Sequence, residues 1–415
     1  MNMRQVKMRQ VKMRVTHWSI IIAVIFMFFA GAQQLAASPV QQESSSSSSE
    51  WGDQWVQQQV EMLETDNIER YWNELGQNYA RYFPGEQLPS LTDLMFSQSD
   101  KGFNGWSILK GVLSFFLQEV IYNGKLLLII VMLAIFSMML ETLQTAFEKN
   151  TISKVAYSII YMVLVTIAIN SFMVAIDYAR EAIEKMIAFM LAMVPLLLTL
   201  LASMGGVVTV SVMHPLIIFM IHVVGSLIYL VVFPLLFFSA VLHIVSAITE
   251  RFKLTQLANM LRGVAVTVLG ILLTAFLGVI SVQGATSSVT DGVALRTAKF
   301  ITGNFVPVVG KMFSDAADTI VSASLVAKNA IGIAGITILL IICAFPAIKI
   351  VALAFIYHVA GAIMQPLGDS PIATCLQTIG KTMLYIFASL AAVSLMFFLA
   401  ITIIITAGNA SVMMR

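Results

Sequence analysis

The sequence predicts an all-α, polytopic helical membrane protein of about six spans. It predicts broken or re-entrant helices, an internal duplication, and a small exported helical region near the N-terminus. Three observations carry this reading. The 415-residue chain is 59% hydrophobic and 11% charged, with a mean hydropathy of +0.88, whereas a soluble domain is about 25% charged. Its apolar residues gather in runs long enough to cross a bilayer. In lipid such runs must be helical, because every backbone N–H and C=O needs an internal partner. The N-terminus, finally, has the pattern of an export signal.

Residues 1–37 read as that signal peptide. Arg4, Lys7, Arg9, Lys12 and Arg14 form a basic start, an apolar core runs from Trp18 to Ala30, and small residues come next at Ala30-Gly31-Ala32 and Ala36-Ala37. An uncleaved anchor is the other reading. Both leave the basic end in the cytoplasm and export the segment after the apolar core. The repeat of MRQVK at 3–7 and 8–12 reads as a small duplication or an ambiguous start. Residues 38–50 form a linker whose serines at 44–49 cannot bury apolar area. Residues 51–123 form the exported helical region. Trp55, Leu63, Ile68, Trp72, Leu75 and Tyr79 are its candidate contacts, and Pro84-Gly85 stops the helix. This region is too small for a strong core of its own, so it is expected to pack on a partner or on the membrane domain. Residues 106–123 read as an amphipathic helix at the membrane interface.

The membrane domain is expected at 124–410, with spans near 125–147, 155–176, 215–233, 262–282, 329–345 and 380–406. Segments 195–213, 235–249 and 347–365 are apolar but short or interrupted, and read as re-entrant, interfacial or half-helices. Lys149, Lys154, Arg251, Lys253, Arg262, Lys349 and Lys381 fall on the cytoplasmic side of this topology. Val194-Pro195 recurs as Val306-Pro307 and Phe233-Pro234 as Phe345-Pro346, each 112 residues on. Pro195, Pro234, Pro307 and Pro346 therefore read as helix breaks in two repeats, 155–250 and 262–400, as in transporter folds. A chance alignment of membrane-helix prolines is the alternative.

Polar chemistry concentrates at 281–332, between apolar runs, where Asp291, Arg296, Lys299, Lys311, Asp315, Asp318 and Lys328 fall. Charges beside lipid need partners, water or a function. Lys311, Asp315, Asp318 and Ser322 lie at i, i+4, i+7 and i+11 and form one helical stripe, read as a cavity lining or subunit contact. The other reading is the solvated face of an exported hairpin. Asp177, Arg180, Glu181, Glu184 and Lys185 likewise share a face. They are read as a helix lying on the membrane, with Glu181–Lys185 pairing and either a solvated or a docking surface. The sequence contains no H-E-x-x-H, G-x-x-x-x-G-K-[ST] or G-x-S-x-G motif. Leu367-Gly368-Asp369 lacks the first glycine of an intramembrane aspartyl protease motif. No enzyme, cofactor or metal site is expected. His214, His222, His243 and His358 read as bundle hydrogen-bonders, and Cys343 and Cys375 as buried thiols. A net charge of +2 points to no nucleic acid.

The run SVQGATSSVTDGVALRTAKFITGNFVPVVGKMFSDAADTIVSASLVAKNAIG closely resembles the stage III sporulation protein AE family of endospore-forming Firmicutes. NIERYWNELGQNYARYFPG, VPLLLTLLASMGG at 194–206, FPLLFFSAVLHIVSAITERFKL at 233–254 and QPLGDSPI at 365–372 resemble the same family. The resemblance covers residues 60 to 410 or so; only the duplicated basic N-terminus and the serine run look unlike it. It implies a permease-like subunit of the mother-cell membrane around the forespore, acting in a secretion-like channel that sustains late forespore gene expression. It implies as partners other membrane and ring-forming proteins of the same operon, a secretion-type ATPase and, across the intermembrane space, a forespore membrane protein. It carries over no catalytic residue. A stand-alone small-solute transporter is the competing function.

Overall fold

The computed structural model describes residues 66–79, 105–146, 151–248, 254–305, 309–367 and 371–413. The signal peptide and serine linker expected at 1–50 lie outside the described residues. Among those described, the chain is helical except for short turns. In order come α1 (Asp66–Tyr79), α2 (Gly105–Tyr122), α3 (Gly124–Ala146), α4 (Thr151–Ser203) and α5 (Val207–Leu227). A π-helical turn at Ile228–Val232 leads into α6 (Phe233–Ile248). The chain continues through α7 (Thr255–Phe305), α8 (Val309–Met364) with a 3₁₀ turn at Gln365–Leu367, and α9 (Pro371–Met413).

Among the described residues, five helical stretches are long and apolar enough to cross a membrane, and the bent pair of α2 and α3 makes up to six. The all-α polytopic class and the span count agree with the sequence reading. The interruptions do not. Pro195 lies inside the 53-residue α4 and Pro346 inside the 56-residue α8, and neither breaks its helix. Proline is tolerated in such helices because neighbours re-satisfy the backbone groups it frees. At Pro195 the carbonyl accepts a bond from the Thr199 hydroxyl one turn on. Pro234 is the second residue of α6, directly after the π turn, where the chain adjusts its pitch without separating. Pro307 lies outside the described residues, between α7 and α8. The equal proline offsets therefore mark no equivalent breaks, and segments 195–213, 235–249 and 347–365 belong largely to long helices. Breaks among the described residues fall instead at Asn123, where α2 and α3 meet at 48°, and at Met204–Gly206, where Gly205 takes φ 89°. That left-handed conformation suits glycine.

Helix α9 is the axis of the bundle and packs on α8, α7, α4 and α6. Beyond Tyr385 it is almost wholly apolar, and a helix of that kind must be surrounded. Leu390, Met396, Phe397 and Ile404 are fully buried, and no large apolar residue of α9 is exposed among those described. Glycines on α8 let its neighbours approach. A Cβ on Gly332 would run into Ile405 of α9, and one on Gly335 into Met193 of α4. Cys343 and Cys375 are buried free thiols, as expected. His222 and His243 bond the carbonyls of Ile218 and Ser239 one turn back in their own helices.

Helix α1 docks on the middle of the bundle. Ile68, Trp72 and Leu75 are buried, Tyr71 meets Phe189 edge-on, and Glu74 reaches Lys185 at 3.3 Å. Of the two destinations the sequence left open, the membrane domain is the one seen. Lys185 also pairs with Glu181 at 3.1 Å, as expected. Residues 177–185, however, are not a separate helix lying on the membrane. They form the centre of α4, with Ala179, Ala182 and Ile183 buried, because apolar helix continues on both sides with no breaker between.

Two substitutions test this packing. Trp72→Ala should remove about 3–5 kcal/mol of docking and packing free energy and expose α1 to limited proteolysis; unchanged cleavage kinetics would contradict the docking. Gly332→Val should cost about 1–3 kcal/mol by overpacking against Ile405, read as a lower Tm in detergent.

Candidate functional site

The polar groups of the bundle converge at the end where α4 turns into α5. The turn is tight, and Leu201 folds back against it. A Cβ on Gly206 would lie 2.9 Å from both the Leu201 side chain and its carbonyl. Residue 206 is thus held to glycine, although it occupies the N-cap of α5, where Ser, Thr, Asp or Asn would normally satisfy the free amides. Gly206 supplies no side-chain cap. The cap comes from α7 instead. Asp291, 1% exposed, accepts bonds at 3.0 Å from the Val208 and Thr209 amides and a third from the Thr209 hydroxyl. Three donors and the positive end of the helix dipole compensate the burial of this carboxylate.

A second buried charge lies on α8. Lys328 is 0% exposed, and its ammonium donates to the Ile405 carbonyl at 2.8 Å and to Asn409 Oδ1 at 3.1 Å. Both acceptors belong to the C-terminal part of α9, the end toward which helix carbonyls point. The ammonium fits because residue 408 is glycine; a Cβ there would strike Lys328 Nζ and lie 3.0 Å from Leu201. One turn earlier on α8, Ser324 is buried and accepts a 2.9 Å bond from Ser203 of α4. Leu201 therefore separates two polar clusters that join α4, α5, α7, α8 and α9. Neither Asp291 nor Lys328 forms an ion pair among the described residues; each is satisfied by backbone and uncharged side-chain groups.

These contacts root two arms. Past Gly292, α7 runs on for about 13 residues, or roughly 20 Å at 1.5 Å per residue, and Val293, Arg296 and Thr297 are exposed. The first buried residue of α8 among those described is Val321, about 12 residues and roughly 18 Å from the start of that helix. Lys311, Asp315, Asp318 and Ser322 all lie on this one continuous helix, so the predicted stripe shares a face. The side chains of 311–318 lie outside the described residues. Ser322 is exposed, and its face lies roughly 120–160° around the helix from that of Ser324 and Lys328 at 100° per residue. The structure thus brings Ser322 to none of the buried contacts. Asp291 and Lys328, which make those contacts, were visible in the sequence only as charges in an apolar setting. Each finds its partners on other helices, backbone groups among them, which leaves no local side-chain spacing to detect. The available signal was Gly205-Gly206, a helix start with no local cap.

A cleft of about 80 Å³ lies where α1 meets α4 and α8, lined by Tyr71, Glu74, Tyr178, Lys185 and Lys349 among others. That volume holds a few waters, against the 300–1,000 Å³ usual for small-molecule sites.

Asp291→Ala should cost about 2 kcal/mol or more, by loss of the cap and of charged hydrogen bonds. Asp291→Asn, which keeps one accepting oxygen, should cost less. Lys328→Met should leave the Ile405 and Asn409 oxygens without their donor and lower stability by about 1–3 kcal/mol. Thermal unfolding in detergent checks the order of the three; equal Tm values for wild type and Asp291→Ala would contradict the capping role.

Comparison with known proteins assigns the chain. The family profile described as stage III sporulation protein AE matches residues 87–408. A relative named stage III sporulation protein AE, from Bacillus subtilis (strain 168), is 51% identical over 403 residues, covering 97% of this chain and 100% of its own length. No solved structure matches. The chain, a helical membrane protein whose polar segment roots two helical arms, belongs to the stage III sporulation protein AE family.

Proposed function

We propose that this protein is a non-enzymatic, permease-like membrane subunit of a secretion or channel complex linking mother cell and forespore, needed for late forespore gene expression. Its place is the mother-cell membrane around the forespore. The observation that carries the reading is the pair of arms formed by α7 and α8. They leave a rigidly clamped bundle, bear charge at Arg296, Lys299, Lys311, Asp315 and Asp318, and have Ser322 facing outward. Such a projection suits contact with other subunits. The partners are the other membrane and ring-forming proteins of the same operon and its secretion-type ATPase. A forespore membrane protein is met indirectly, across the intermembrane space. The bilayer is the remaining partner, and nucleic acid is not one. A stand-alone small-solute transporter gains nothing from a cleft that holds only a few waters.

The double change Asp315→Asn with Asp318→Asn tests the arms. It should leave the protein in the membrane but reduce assembly with its partners and sporulation efficiency, about 10-fold or more for a loss of 1.4 kcal/mol or more in association. Sporulation and assembly both at the wild-type level would reduce the stripe to a solvated face. Liposomes holding this chain alone should show no solute flux, whereas flux without partners would favour the transporter.

A further inference from the structure

The bundle is too tall for one bilayer. The apolar helical stretches include 41 residues at Val207–Ala247 and 46 at Thr319–Met364. At 1.5 Å per residue the shorter is roughly 60 Å long, against a hydrocarbon core of about 30 Å. Tilt alone would have to reach about 60°, beyond the ~40° limit of membrane helices. About half of the length must lie outside the hydrocarbon.

Charge and aromatic rings mark the boundary at mid-height. On α4, Arg180 lies over the ring of Tyr229 in the π turn at 5.7 Å, and Tyr178 carries Lys349 of α8 over its own ring at 5.0 Å. Lys185 is held between Glu181 and Glu74 of α1. Four elements thus bring tyrosine or charge to one level. Tyr, Lys and Arg gather in this way at the headgroup layer. Helix α1, which turns Glu69, Asn73 and Gln77 outward at the same level, is too polar for hydrocarbon.

The outward side chains change across this band. On the side toward the end of α6 they are long and apolar, as at Leu128, Met132, Met162 and Phe238. On the side toward the Gly205-Gly206 turn Phe219, Ile320 and Ile333 are exposed too, but α7 turns shorter and hydroxyl-bearing side chains outward, as at Val282, Thr286, Val289 and Thr290. We propose that the lipid headgroup layer meets this protein at the Tyr178–Lys185 band. The bilayer encloses only the half of the bundle that contains α3 and α6. The other half, with Asp291, Lys328 and the arms, stands out of the membrane on the side of α1.

The test is lipid quenching in the full-length protein. Single Met162→Cys, Phe238→Cys, Val282→Cys and Val289→Cys variants are labelled with bimane, the unsubstituted protein setting the background from the two buried native thiols. They are reconstituted in phosphatidylethanolamine–phosphatidylglycerol vesicles with brominated acyl chains. All four sites are exposed, so folding should be little affected. Quenching at 282 and 289 is expected to be about five-fold weaker than at 162 and 238, because bromine is confined to the hydrocarbon. Quenching at 282 and 289 above half of that at 162 and 238 would overturn the proposal; any smaller value supports it.

Discussion

A helix start that cannot cap itself governs one end of this protein. Leu201 fills the space beside the α4–α5 turn, so residue 206 can carry no side chain. The free amides of α5 must then be satisfied from elsewhere, because buried N–H groups left unpaired are costly. Asp291 does this from α7, 82 residues away from Thr209 in sequence. The same leucine lies against Gly408, whose missing side chain makes room for Lys328. One apolar residue thus shapes the settings of both buried charges. The carboxylate sits at a helix N-terminus and the ammonium among the carbonyls of a helix C-terminal segment, the orientation the peptide dipoles favour.

This arrangement gives the polar stretch at 281–332 two different parts. Its inner ends, at Asp291, Ser324 and Lys328, are structural and face protein. Its outer portion, the two arms, carries the remaining charge. Clamping at the root is what allows a polar projection to hold a defined position, since isolated helices of about a dozen residues are marginal in water. The docking of α1 on α4 and α8 supplies a second fixed point, at mid-height, through buried Trp72 and Leu75.

Much of the fold was legible in the sequence, because apolar runs, the 3.6-residue period and the backbone's need for partners leave few alternatives. The helical class, the number of spans and the Glu181–Lys185 pair all come from local pattern. The prolines misled, since the bundle accommodates Pro195 and Pro346 within continuous helices. The stripe Lys311, Asp315, Asp318 and Ser322 is a regular pattern on one helix, and regularity made it conspicuous. Asp291 and Lys328 form no pattern, and their partners, backbone and side-chain groups alike, lie on other helices. Only the three-dimensional path of the chain brings Val208 to Asp291 or Ile405 to Lys328.

The cross-helix cap is tested most directly by hydrogen–deuterium exchange with mass spectrometry on the full chain in detergent, comparing wild type with Asp291→Ala. The cap predicts that amides at 207–211 exchange slowly in wild type. In the variant they should lose protection together with the segment of α7 from 287 to 297, while the α1 contact surface at 182–189 stays unchanged. Identical exchange at 207–211 in the two proteins would contradict it.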